Sequence, residues 1–141
     1  MASLKMTGLD DIEKMFRILS DPTQMAIEAI NEAAPVLEKH LKSEIMSAAE
    51  HPTGGLAGSI HTMAARKNEY GVFSVVKPEG TDEKGIEYTE RMRWLDVGVH
   101  DRSGQWHRGK GVRQKAVNNA KAECRKILEN NVERFAEKAM R

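Results

Sequence analysis

The chain has a single cysteine, Cys124, so no internal disulfide can staple it, and a lone thiol fits a reducing compartment. Aromatic residues are only 5% of the composition, so the core must come mainly from helices packed through alanine, methionine and aliphatic side chains. No apolar run approaches the ~20 residues that a membrane-spanning helix needs. The opening Met1-Ala2-Ser3-Leu4-Lys5 lacks the apolar core of a signal peptide, which predicts a soluble intracellular product. Neither sign of charge dominates, with 22 basic against 21 acidic residues, so no generally basic surface is expected. No Walker-type or dinucleotide-binding glycine pattern occurs. Ser59 lacks a nucleophile-elbow context, because Gly58-Ser59 runs into Ile60-His61.

What is present reads as one domain of 141 residues. Residues 3–7 alternate polar and apolar, as a short edge strand does, and Gly8 ends it. Asp10 or Asp11 can cap a helix carrying Ile12, Met15, Phe16 and Leu19 on one face. Asp21 or Thr23 then caps a second helix over residues 24–49, with Ile27, Ile30, Ala34, Leu37, Leu41, Ile45 and Ala48 at steps of three and four. Pro35 should bend it, and at roughly 40 Å it would be the spine of the domain.

The junction Thr53-Gly54-Gly55-Leu56-Ala57-Gly58-Ser59-Ile60 follows. Its glycines permit a sharp turn, Leu56 and Ile60 offer apolar anchors, and Thr53 and Ser59 are placed for local hydrogen bonds. Residues 59–66 and 71–77 read as a hairpin turning at Asn68-Glu69-Tyr70, and residues 79–85 as a flexible, solvated loop. A short helix over 87–94 leads into extended chain, and residues 100–111, with three glycines, form a second flexible loop suited to function. The last helix spans residues 112–140, with Ala116, Ala120, Cys124, Ile127, Leu128, Val132, Phe135 and Ala139 as its apolar stripe. The expected fold is α+β: two long helices and a shorter N-terminal helix on a small antiparallel sheet. The wide apolar stripes favour subunit association.

Two clusters could carry chemistry. His100, Asp101 and His107, beside Trp106, are residue types that bind zinc, although their spacing matches no strong metal motif. They define one alternative, a small metal-dependent enzyme. Across residues 100–115, Arg102, Arg108, Lys110, Arg113 and Lys115 face only Asp101, a local net charge of +4. With Trp106 among them, these cations suit phosphates or an acidic partner, and a nucleic-acid-binding accessory protein is the other alternative. Cys124, on the apolar stripe, reads as a buried, inert thiol.

In order, these landmarks resemble the tail-completion, or head–tail joining, proteins of long-tailed phages and prophages. The opening Leu4-Lys5-Met6-Thr7-Gly8-Leu9-Asp10-Asp11-Ile12 is similar to that family's strand, glycine and helix start. Ala29-Ile30-Asn31-Glu32-Ala33-Ala34 is similar to its long alanine-rich helix, and the junction resembles its Thr-Gly-x-Leu-x-x-Ser-Ile motif. Tyr88 leads into the acidic-x-Gly turn Asp96-Val97-Gly98, again as in the family. Gly109-Lys110-Gly111-Val112-Arg113 stands where members place a proline- and aromatic-rich segment. The resemblance implies a virion protein without catalysis or cofactor. It would form a homo-oligomeric ring, a hexamer or else a dodecamer, joining the head connector to the tail tube around the DNA channel. Arg102, Trp106, Arg108, Lys110, Arg113 and Lys115 would then meet a neighbouring ring, the preferred role, or the DNA.

Overall fold

The computed structural model describes residues 21–49 and 54–139. The strand expected at residues 3–7, the helix of Ile12 to Leu19, and Thr53 of the junction lie outside them. The fold is α+β. In chain order its elements are α1 (Thr23–Ala48), α2 (Gly55–Gly58), β1 (Ile60–Thr62), β2 (Arg66–Asn68), β3 (Gly71–Phe73), β4 (Val76–Pro78), α3 (Tyr88–Asp96), β5 (Gly98–His100), β6 (Trp106–Arg108) and α4 (Val112–Ala139).

The spine helix α1 keeps Pro35 in its interior. Its cap position holds Pro22, which has no side-chain acceptor, and Asp21 instead accepts the Thr23 N–H at 3.3 Å. α4 lies antiparallel along α1, as the cross-pairs Glu44–Asn119, His40–Glu123 and Glu32–Asn131 show. Ala29 and Ala33 on α1, with Ala116 and Ala120 on α4, are buried, so small side chains let the two axes approach closely. Cys124 Sγ faces the Ala33 carbonyl at 3.6 Å, and burial pushes its thiol pKa up.

The apolar stripe of α4 differs from its expected course. Leu128 is 38% exposed and Val132 50%, while Asn131 is 1% exposed. The inward positions run through Val112, Ala116, Ala120, Ile127 and Asn131; one residue further along, the side chain turns ~100° away from α1. Asn131 is tolerated there because its amide donates to Glu32 at 2.7 Å and to the Ile127 carbonyl at 2.9 Å.

The expected single sheet is three two-stranded antiparallel ladders, β1–β4, β2–β3 and β5–β6. The first two belong to one long hairpin whose register slips. Thr62 pairs with Val76 and Arg66 with Phe73, so residues 63–65 oppose only 74 and 75. This extra residue is a bulge, held by Met63 N–H on the Val75 carbonyl and by Ser74 Oγ on the Met63 carbonyl. The tip is a tight turn in which Asn68 Oδ1 accepts the Tyr70 N–H at 2.8 Å.

The glycine junction forms one helical turn, α2, entered through Gly54 at φ 82°. Ser59 closes it locally, its hydroxyl donating to the Leu56 carbonyl at 2.6 Å, and Ile60 emerges fully buried. Leu41, Ile45, Ala57, Ile60, Met92, Val112 and Ala116 make the core, with Leu56 packed against it. It sits where the C-terminal half of α1, the junction, α3 and the start of α4 meet. Among the described residues no helix is long and apolar enough to cross a membrane.

Ile60→Ala should lower unfolding free energy by about 3 kcal/mol, read as a shift of the urea midpoint. Val132→Ala, half in water already, should change it by less than about 0.5 kcal/mol.

Candidate functional site: a basic hairpin and the pocket at its root

Residues 79–87 are drawn around one carboxylate. Asp82 Oδ1 accepts the N–H groups of Lys84 and Ile86 at 2.9 Å, and its Oδ2 accepts Arg91 Nε at 2.8 Å. The Ile86 N–H, helped by Arg91, holds the Asp82 pKa below the usual carboxylate range. The segment expected as a flexible loop is therefore tied to α3. An Asp two residues before Lys-Gly is a turn signal, but nothing local pointed to Arg91.

At its other end, α3 stops where the returning chain satisfies its carbonyls. Leu95 O accepts the Lys110 N–H at 2.7 Å, Asp96 O the Gly111 N–H at 3.0 Å, and Val97 O the Gly109 N–H at 3.0 Å. A Cβ on Gly109 would stand 2.2 Å from Asp96 O, so this approach requires glycine. The Asp96 carboxylate takes the Arg113 N–H at 3.0 Å and Arg113 Nε at 2.6 Å, pinning the first turn of α4 to the end of α3. Arg113, grouped by sequence with the contact residues, has its guanidinium bound here.

Residues 98–108 form a β-hairpin rather than the expected flexible loop. Gly98 pairs with Arg108, Val99 with His107, and His100 with Trp106. Its turn is organised by Asp101. Oδ1 accepts from the Ser103 N–H, the Ser103 hydroxyl and the Gln105 N–H, and Oδ2 lies 2.9 Å from His107 Nε2. The Ser103 hydroxyl, then His107 and Gln105, hold the Asp101 pKa far below the usual carboxylate range. The glycines and the scarcity of apolar residues hide the hairpin in the sequence, where Asp101-Arg102-Ser103-Gly104 is its one local signal.

Strand alternation splits the proposed metal trio. His100 and Trp106 share one face, with ring centroids 4.8 Å apart, while Val99 and His107 take the other. His100 Nδ1 donates to the Gly104 carbonyl at 3.1 Å, and His107 faces Asp101. Among the described residues no three His, Cys, Asp or Glu side chains stand together as a metal site. On the His100 face, Trp106 lies across Gly98, where a Cβ would fall 2.5 Å from its ring. Trp106 is still 49% exposed and the adjoining Val97 53%.

Below the hairpin, a shallow cavity of about 420 Å³ opens between α3 and the start of α4, lined by Asp96, Val97, Arg108, Gly109, Lys110 and Lys115. Among the described residues no carboxylate pairs with Arg108, Lys110 or Lys115. Arg102 sits apart, exposed in the hairpin turn. The structure thus gathers Arg108, Lys110 and Lys115, assigns Arg113 to Asp96, and leaves Arg102 at the tip.

No protein-family model, curated protein or solved structure matches the chain.

Two measurements probe this architecture. Asp101→Ala should accelerate amide exchange at Ser103 and Gln105 while leaving the α1–α4 amides unchanged. In the wild type the depressed Asp101 pKa supports the turn above the ordinary carboxylate pKa, and that support fades as pH falls through its lower folded value. The hairpin should therefore stay closed at pH 7 and loosen only in strong acid. Gly98→Ala should displace the Trp106 ring and red-shift tryptophan emission.

Proposed function

We propose that the protein is a structural subunit of the neck, or head-proximal tail end, of a long-tailed phage or prophage-derived particle. Its copies form a closed ring between head connector and tail tube, with DNA passing through the lumen, and it is located in the virion after assembly in the host cytoplasm. The ring has six copies, or else twelve. No catalytic step, metal or cofactor is assigned to it.

The observation that carries this is the ordered set of sequence landmarks, above all the Thr-Gly-x-Leu-x-x-Ser-Ile junction. Two structural features support it. Val117, Leu128 and Val132 leave apolar area exposed on α4, as an associating helix does. The β5–β6 hairpin carries Arg102, Trp106 and Arg108 outward on a tied, preformed scaffold, which suits docking to a neighbouring ring with little ordering cost.

Alanine at Arg102, Arg108 and Lys110 together should leave filled heads and separate tails in particle preparations from the encoding phage or prophage. Purified wild-type protein should restore joining in the extract. Normal yields of infectious particles from the triple variant would overturn the proposal.

A further inference from the structure

Charge is unevenly spread along the chain. From Val97 to Ala122 stand six cations, Arg102, Arg108, Lys110, Arg113, Lys115 and Lys121, against one carboxylate, Asp101. The acids nearest this stretch are already engaged. Asp101 holds its own turn, Asp96 binds Arg113, and Glu44 of α1 accepts from Asn119 of α4. Arg108, Lys110 and Lys115 remain around the cavity between α3 and α4, all three exposed.

Beside them lies an aromatic platform. Trp106 and Arg108 are two residues apart on β6, so their side chains leave the same face of the hairpin ~7 Å apart. The Trp106 ring lies over Gly98, next in sequence to Val97 on the cavity rim, and is 49% exposed. A flat π surface beside unneutralised cations meets two needs of one ligand, a base to stack and phosphates to neutralise.

Other anions fit this surface less well. A small phosphate is held by a cradle of backbone amides. Here the N–H groups of Gly109, Lys110 and Gly111 are engaged by α3 carbonyls, and that of Arg113 by Asp96. A lipid surface takes apolar side chains from a projecting element, whereas the tip of this hairpin is Arg102-Ser103-Gly104-Gln105. An acidic polypeptide would use the cations and leave the ring without a stacking partner.

We infer that Arg108, Lys110, Lys115 and Trp106 bind a single strand of nucleic acid, the cations taking phosphates and the ring stacking on an unpaired base. Arg102, at the hairpin tip, stands apart from this site and remains for a docking contact. The site is complete within one subunit, so the inference goes beyond the ring reading and does not depend on it.

The test titrates full-length protein into a labelled oligothymidylate of about twelve nucleotides, read by fluorescence anisotropy at several salt concentrations. Three phosphate contacts predict that log affinity falls against log salt with a slope of about −2. The variant Arg108→Ala, Lys110→Ala, Lys115→Ala should lose most of the binding and bring the slope near zero. Trp106→Ala should bind roughly tenfold more weakly with the slope unchanged. On a duplex of the same length, whose bases are already paired and stacked, Trp106→Ala should change nothing. Removing three other cations of α4, with Lys121→Ala, Arg125→Ala and Lys126→Ala, should leave the affinity close to wild type. All seven side chains are exposed, and far-UV circular dichroism should confirm that each variant folds.

Absence of binding at low salt, or an equal loss in the Lys121, Arg125 and Lys126 variant, would overturn the inference. So would an equal effect of Trp106→Ala on single strand and duplex. Polyglutamate or anionic vesicles bound as tightly as the oligonucleotide, with Trp106→Ala without effect, would overturn it in favour of an acidic protein or a membrane.

Discussion

The end of α3 is the constraint on which the rest of the site depends. A helix leaves its last carbonyls without intrahelical partners. Here residues 109–111 return past them, and the N–H groups of Gly109, Lys110 and Gly111 reach the carbonyls of Val97, Leu95 and Asp96. That exchange fixes the root of the β5–β6 hairpin and the entry of α4. It also forces glycine at position 109, where side-chain bulk would meet the Asp96 carbonyl. The Asp96 carboxylate then holds Arg113 in the first turn of α4, so one residue bonds through both backbone and side chain. Hairpin, pocket and the direction of α4 follow from this corner.

The corner can be rigid because it stands on the core. Met92 of α3 and Val112 at the start of α4 are buried against Ile45 and Ile60. Further along the α1–α4 pair the contact narrows to alanines, with Asn131 bonded to Glu32. Small side chains bring the helices together but leave little apolar area for a broad stripe. Leu128 and Val132 consequently face outward, where they are available to another surface.

The carboxylates at turns contrast with those on the outer face of α4. Asp82, Asp96 and Asp101 are short, lie at turns, and bind backbone N–H groups together with a basic side chain. Each closes a piece of irregular chain. Glu129, Glu133 and Glu137 lie on an exposed helical face and, among the described residues, hold nothing together. Cations divide likewise, with Arg91 and Arg113 bound to carboxylates and Arg108, Lys110 and Lys115 around a cavity. A nearly neutral chain therefore still gathers around one cavity three cations without carboxylate partners among the described residues, which net charge alone does not reveal.

Periodicity and turn chemistry made the long helices, the short helix before Gly98, the first hairpin and the glycine turn legible in the sequence, because each depends on neighbours a few residues away. Leu56, Ser59 and Ile60 took the local roles their pattern implied. Other features depend on partners distant in sequence. Asp82 meets Arg91 across nine residues, Asp96 meets Arg113 across seventeen, and Asn131 meets Glu32 across ninety-nine. The hairpin at 98–108 was hidden because exposed strands need no apolar alternation, and its ladder is held by backbone bonds and Asp101. By itself the sequence determined the two long helices, the short helix and the first hairpin, since those choices follow local backbone preference and burial period. Tertiary structure alone decided which charges are neutralised and which remain at the surface, because that depends on how the chain returns past the end of α3.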